Sequence, residues 1–297
     1  MATAFSGPPD PLARPLWRQV LGLALPALAQ QYLHLVVQFA DQYFASRFDV
    51  REPGLRVGYL SALTTAGYLY WFVSSYTVLV SVGSTALVAR FVGAKDWALA
   101  RHATGQSVVL AVGFGAAGAV AGVLGLPDLV AALQLEGDAA RVCVEFLMPL
   151  AALLVFQIVE SACAACLAGA GDTVTGLVVL GCVAVLNVPL AYTLCFGVGP
   201  FGGFGFVGIA LGTGLSHVIG CVALLVILAR GKSGLKLHPR DLIPDLPLLR
   251  RLLWVSVPAA VDSLSAAACQ LWFLSLVNRL GDVPASAHGI ALRWEAL

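Results

Sequence analysis

The stretch Leu25-Pro26-Ala27-Leu28-Ala29-Gln30-Gln31-Tyr32-Leu33-His34-Leu35-Val36-Val37-Gln38-Phe39-Ala40-Asp41 lies inside an apolar run spanning about residues 16–45. The run exceeds the roughly 20 residues a helix needs to cross a bilayer. Gln30, His34, Gln38 and Asp41 recur at intervals of four, four and three. On a helix they form one polar stripe along an otherwise apolar rod. Polar groups at membrane depth are costly, and an ionisable one there marks a functional site by default. The structural alternative is an Asp41 at the outer membrane surface, paired with Arg47 or Arg51. A carboxylate at depth can exchange a proton or hold a cation. Pro26 removes one N–H from the ladder, so a bend or hinge is expected there.

Further apolar runs, bounded by charges or Gly/Pro clusters, predict spans near 57–89, 103–126, 138–168, 174–197, 204–229 and 248–278, with an eighth from Pro284. Composition agrees. Of 297 residues, 59% are hydrophobic and 11% charged, with mean hydropathy +0.89. An ordinary soluble domain carries roughly 25% charged residues, so a water-soluble globule, a disordered chain and a nucleic-acid-binding surface are excluded. The first fifteen residues lack a basic n-region, and the run from Leu16 is too long for a cleaved leader, so it reads as a retained helix.

Loop cations set the orientation. With the N-terminus inside, the inner segments hold Arg14, Arg18, Arg90, Lys95, Arg101, Arg230, Lys232, Lys236, Arg240, Arg250 and Arg251, against Arg47, Arg51, Arg56, Arg141 and Arg279 outside. A plasma-membrane protein with a cytoplasmic N-terminus is expected, in the inner membrane if bacterial. Residues 231–247, with Pro239, Pro244 and Pro247, read as a cytoplasmic linker. Beyond it, Leu248-x-Arg250 and Pro258-Ala259 repeat Leu16-x-Arg18 and Pro26-Ala27 at one offset. The expectation is an all-α polytopic protein made of parallel repeats. Residues 1–15 form an N-terminal segment, 16–230 a six-helix lobe, 231–247 the linker, and 248–297 the truncated start of a second lobe.

Glu160 and Asp262 are the other acids well inside apolar runs and are candidates to line a cavity, with a structural hydrogen bond as the alternative. Asn187, Tyr192 and Thr213 place polar groups in the fifth and sixth spans, and Tyr192 joins the cavity candidates. His217 reads as a packed histidine. The cysteines lie in apolar runs; Cys163-x-x-Cys166 lacks a second pair or a nearby His and reads as packing. The G-x-G-x-x-G matches at Gly113–Gly118 and Gly203–Gly208 lack the βαβ context of a dinucleotide site. Ser216 and His217 are adjacent on a helix and do not face each other. No catalytic pair, resident cofactor or metal site is expected.

Leu23-Ala24-Leu25-Pro26 with Phe39-Ala40-Asp41, Ala89–Asp96 with Ala100-Arg101, Leu167–Thr173, Gly205–Thr213 and Ala287–Leu292 resemble, in order, stretches of the multidrug and toxic compound extrusion (MATE) family. The resemblance covers nearly the whole chain. It implies twelve helices in two lobes, and a monomeric exporter of cationic small molecules, working by alternating access in exchange for H⁺ or Na⁺. It also implies cation coupling at Asp41, Asn187 and Thr213, while Ala191 stands where some relatives carry a carboxylate. A lipid or oligosaccharide flippase of the same superfamily is the alternative. A seven-helix receptor or intramembrane enzyme fits less well.

Overall fold

The computed structural model describes residues 15–47, 53–198 and 201–295. The chain runs through α1 (Leu16–Arg47), α2 (Pro53–Gly93), α3 (Trp97–Ala132), α4 (Gly137–Ala152), α5 (Leu154–Gly169), α6 (Thr173–Phe196), a two-residue hairpin of β1 (Gly197–Val198) and β2 (Phe201–Gly202), α7 (Phe206–Ala229), α8 (Leu246–Asn278) and α9 (Asp282–Glu295). The hairpin is antiparallel, with Gly197 opposite Gly202 and Val198 opposite Phe201. Helices α2, α3, α6, α7 and α8 are each long and apolar enough to cross a membrane, and the bent pair α4–α5 passes the same test only when taken together. α9 is only 14 residues long.

The fourth span departs from expectation. Residues 138–168 predict one helix, but the chain bends by 52° between α4 and α5. Pro149, one turn before the break, takes a donor out of the ladder, and Leu153 at the junction leaves helical geometry (φ −94°, ψ 5°). Close packing accompanies the bend: a Cβ built on Gly115 of α3 would lie 2.8 Å from Val155 Cα, and one on Gly214 of α7 would lie 2.6 Å from Leu153 Cδ1. Small residues let neighbouring backbones follow the bent segment.

Two helix junctions use the same chemistry. At Gly93-Ala94-Lys95-Asp96, Lys95 N–H bonds Val92 O and Asp96 N–H bonds Phe91 O, with Lys95 at φ 61°. At Gly169-Ala170-Gly171-Asp172, Gly171 N–H bonds Ala168 O and Asp172 N–H bonds Leu167 O, with Gly171 at φ 85°. Each is a left-handed helix stop followed by an aspartate that caps the next helix, Asp96 on Leu99 N–H and Asp172 on Thr175 N–H.

The segment from Gly231 to Asp245 is not a free tether. It forms 3₁₀ turns at Lys232–Gly234 and Pro239–Leu242 and buries Leu235 completely. Gln106 of α3 clamps it by donating to Asp241 O (2.8 Å) and Ile243 O (2.7 Å) and accepting from Asp245 N–H (2.8 Å). Beyond it, α8 and α9 pack on α2. Gly83 N–H donates to Ser256 Oγ at 2.8 Å, and Asn278 Nδ2 donates to Leu133 O at 2.9 Å.

The apolar interior comes in two clusters. One, towards the hairpin end, gathers Leu69, Leu126, Phe146, Leu147, Ala191 and Ile209. The other, towards the linker end, gathers Val80, Leu110, Ile158, Cys163, Val179 and Leu224. Along α2, α6 and α7, the polar side chains Tyr70, Asn187, Thr213 and His217 fall at the level between them.

Candidate ion and substrate site within the helix bundle

Four helices contribute to this level. Asn187 on α6 is buried and donates through Nδ2 to Thr213 Oγ1 on α7 at 2.9 Å, while Thr213 Oγ1 donates to Ile209 O of the preceding turn at 3.2 Å. One turn along the same face of α7, His217 Nδ1 lies 2.6 Å from Glu160 Oε2 on α5. The other ring nitrogen of His217 is 3.3 Å from Tyr70 Oη on α2, which in turn accepts from Gln157 Nε2 at 2.9 Å. Asp41 on α1 is half-buried and lies within electrostatic range of Tyr70. The arrangement is a polar layer of α2, α5, α6 and α7, with Asp41 of α1 within electrostatic range of it.

Glu160 is the only Asp, Glu, Lys or Arg among the described residues that is fully buried. Its Oε1 has no hydrogen-bond partner among those residues, and neither has the buried Asn187 Oδ1. Gly220 makes room for the carboxylate: a Cβ there would collide with Glu160 Oε1 and come within 2.5 Å of Val183 Cγ2. A buried acceptor without a donor is costly, so this layer is suited to receive a proton or a cation.

The remaining candidates fall in different places. Pro26, Gln30 and His34 have side chains outside the described residues, although α1 is helical through their backbone. Gln38 is exposed. Tyr192 is 50% exposed and packs against Phe44 and Phe196 at 5.8 and 5.2 Å between ring centroids, in an aromatic cluster rather than in the polar layer. Asp262 is exposed on α8, away from the layer. Arg47 lies over the Tyr43 ring at 5.2 Å, and Arg51 is outside the described residues. Ala191 is fully buried against α7, where a Cβ on Gly212 would lie 2.6 Å from Ala191 Cα. A carboxylate at 191 would have to open this seam.

Sequence reading missed Tyr70, Gln157 and the role of His217. Two spacings carried a signal: Gln157-x-x-Glu160 and Thr213-x-x-x-His217 each align on one helical face. Tyr70 had none, lying among other aromatics. Outside the spans, Asp172 is half-buried. Burial alone would raise its carboxyl pKa, but hydrogen bonds from Ser233 and Thr175 and the nearby Lys232 overcome this and hold it below its ordinary value of 3.8.

An all-helical bundle with a buried polar layer and at least five membrane-length helices defines a polytopic membrane protein of transporter architecture. A family model, MatE, matches residues 26–193, more than half of the chain. The chain belongs to the MatE family. It is 25% identical over 282 residues to a protein of Thermotoga maritima named "Probable multidrug resistance protein NorM", and 24% identical over 278 residues to "Probable multidrug resistance protein YoeA" of Bacillus subtilis. These alignments cover 94% and 93% of this chain and 59% of each relative, so the chain spans about three-fifths of their length. Among solved structures, an inward-facing MATE transporter of the MOP superfamily superposes with a TM-score of 0.76 at 20% identity, covering 89% of this chain and 57% of that one. The outward-facing conformation gives 0.73 at 21% identity, over 82% and 52%. A MOP superfamily transporter from Pyrococcus furiosus, whose binding pocket is described as reversed in polarity and suggestive of a different function, gives 0.73 at 20% identity, over 90% and 64%. These likenesses establish the fold.

Proposed function

We propose that the protein exports organic cations across the plasma membrane in exchange for H⁺ or Na⁺, by alternating access. The observation that carries this reading is the sign of the charges at depth. Glu160 sits in the middle of α5 and Asp41 less than two turns from the end of α1, whereas the described Lys and Arg side chains lie in loops or near helix ends. An acidic interior attracts cations and disfavours anions. The names of the bacterial relatives point the same way. In this reading Asp41, Asn187 and Thr213 hold the coupling cation, Gln30, His34 and Gln38 line the path, and protonation of Asp41 favours bending of α1 at Pro26 and release of the substrate. The flippase alternative calls for a cationic cavity able to hold an anionic head group.

Efflux of ethidium from vesicles carrying the protein, under imposed pH or Na⁺ gradients, tests the reading. One of the two gradients should drive efflux, and Asp41→Asn should reduce it by about tenfold or more, the scale of losing one tenfold coupling interaction. Gradient-independent ethidium movement, or full efflux by Asp41→Asn, would overturn it.

A further inference from the structure

The contacts around Glu160 have a direction. Gln157 Nε2 donates to Tyr70 Oη, at 2.9 Å. If Tyr70 O–H then donates to His217 Nε2 (3.3 Å) and His217 Nδ1–H donates to Glu160 Oε2 (2.6 Å), every contact is satisfied with a neutral imidazole and an ionised carboxylate. The pair then carries net charge −1. One proton from water, bound at Nε2, makes the imidazolium and brings the pair to zero; the same proton returns to water when it leaves. Its access is through the imidazole, since the His217 side chain is 12% exposed and that of Glu160 only 2%. Once Nε2 carries a hydrogen it too donates to Tyr70 Oη. The Tyr70 hydroxyl proton must then turn to another acceptor.

Among the described residues, and apart from Asp41, the groups that face the pair are ordinarily neutral. Tyr70 faces the pair from α2, Cys163 from α5 itself and Cys221 from α7. α6 presents Val183. α3 has no ionisable side chain between His102 and Asp128. On α4, Arg141 pairs with Asp138 and Glu145 at the exposed end, leaving the thiol Cys143.

We propose that Glu160 and His217 together form one proton-binding site of the transport cycle, and that Tyr70 Oη, in contact with His217, responds to its state. The proposal rests on the cation-export reading. It assigns the charge-changing step to an α5–α7 pair, in a bundle where Ala191 leaves α6 without a carboxylate. A cation bound near the pair stabilises the −1 state, and the proton stabilises the neutral state. The two therefore exclude each other, as exchange requires.

Proton release on adding ethidium to the purified protein in weakly buffered detergent, followed with a pH indicator, tests this directly. The wild type should release about one proton per cation bound, by linkage. Glu160→Gln and His217→Gln should each cut the release to about a tenth or less, while His288→Gln leaves it unchanged. Tyr70→Phe keeps both titrating groups and should keep the release. Undiminished release in Glu160→Gln and His217→Gln overturns the proposal. If the wild type binds no ethidium, the cation reading fails on its own. The pair is then judged by potentiometric titration between about pH 5 and pH 8, where imidazole exchanges its proton. The wild type should take up about one proton more than the Glu160→Gln/His217→Gln double variant over this range, and equal uptake overturns the proposal.

Discussion

Two tyrosines, two residues apart on α2, each meet a histidine, and the two encounters differ in what lies behind the ring. Tyr70 reaches His217 at 3.3 Å, and the far nitrogen of that imidazole rests on the buried Glu160 carboxylate. Tyr68 reaches His288 at 2.8 Å, with the two rings stacked at 6.0 Å between centroids and Phe273 edge-on to the imidazole at 5.5 Å. The donors are the same. A carboxylate turns the first histidine into part of a charge-bearing unit, whereas aromatic rings make the second a contact that seats α9 on α2. A close approach beside it, Gly289 against Thr64, serves the same packing. A tyrosine–histidine contact is therefore not diagnostic by itself; the third group decides.

The comparison breaks most sharply under truncation. His217→Ala leaves the buried Glu160 without its partner, which should cost about 3–5 kcal/mol. His288→Ala removes one hydrogen bond and a ring contact and should cost about 1–2 kcal/mol. Thermal unfolding of the two variants in detergent measures the gap, and equal losses would erase the distinction. Gly220→Ala follows in size. Its methyl group would press on Glu160 and Val183, an overpacking of about 1–3 kcal/mol. Gly67→Ala on α2 meets nothing within 4 Å and should be neutral or stabilising by up to about 1 kcal/mol. Tyr68→Phe and Tyr70→Phe separate the two encounters by function. The first should leave the pH profile of ethidium binding in place, and the second should move its midpoint by about half a unit, the worth of a hydrogen bond of under 1 kcal/mol.

The smallest effect lies outside the layer. Asp172 ties Ser233 to the start of α6. Its carboxyl is held below its ordinary value of 3.8 in the folded protein. The tie therefore contributes stability above that value and loses it as pH falls through the lower folded one. Amide protection around Ser233–Leu235, relative to the intrinsic exchange rate at each pH, should be unchanged from neutral pH down to about pH 4 and should fall only below it. Loss of protection already at pH 6 would mean that another group holds the segment.

The helices were largely legible because each apolar run ends at charges or at a glycine-and-aspartate stop, and the same residues shape the turns at Lys95–Asp96 and Gly171–Asp172. The bend at Leu153 was not legible. The run through it is continuously apolar, and it takes the glycines of α3 and α7, distant in sequence, to pack against the bent segment. The polar layer was readable one helix at a time. Glu160, Asn187 and Thr213 stood out as polar positions in apolar runs. The partners that give Glu160 its chemistry are 57 and 87 residues away from their contacts, at His217 and between Gln157 and Tyr70. No local spacing encodes such pairings.

The account turns on the Glu160–His217 pair being the place where a proton changes the charge of the bundle. Ethidium efflux from vesicles, measured for the wild type and Glu160→Gln as the imposed pH gradient is stepped, tests this most directly. The account predicts that wild-type efflux rises with the inward proton gradient while Glu160→Gln stays flat. A Glu160→Gln protein that follows the gradient as steeply as the wild type would contradict it.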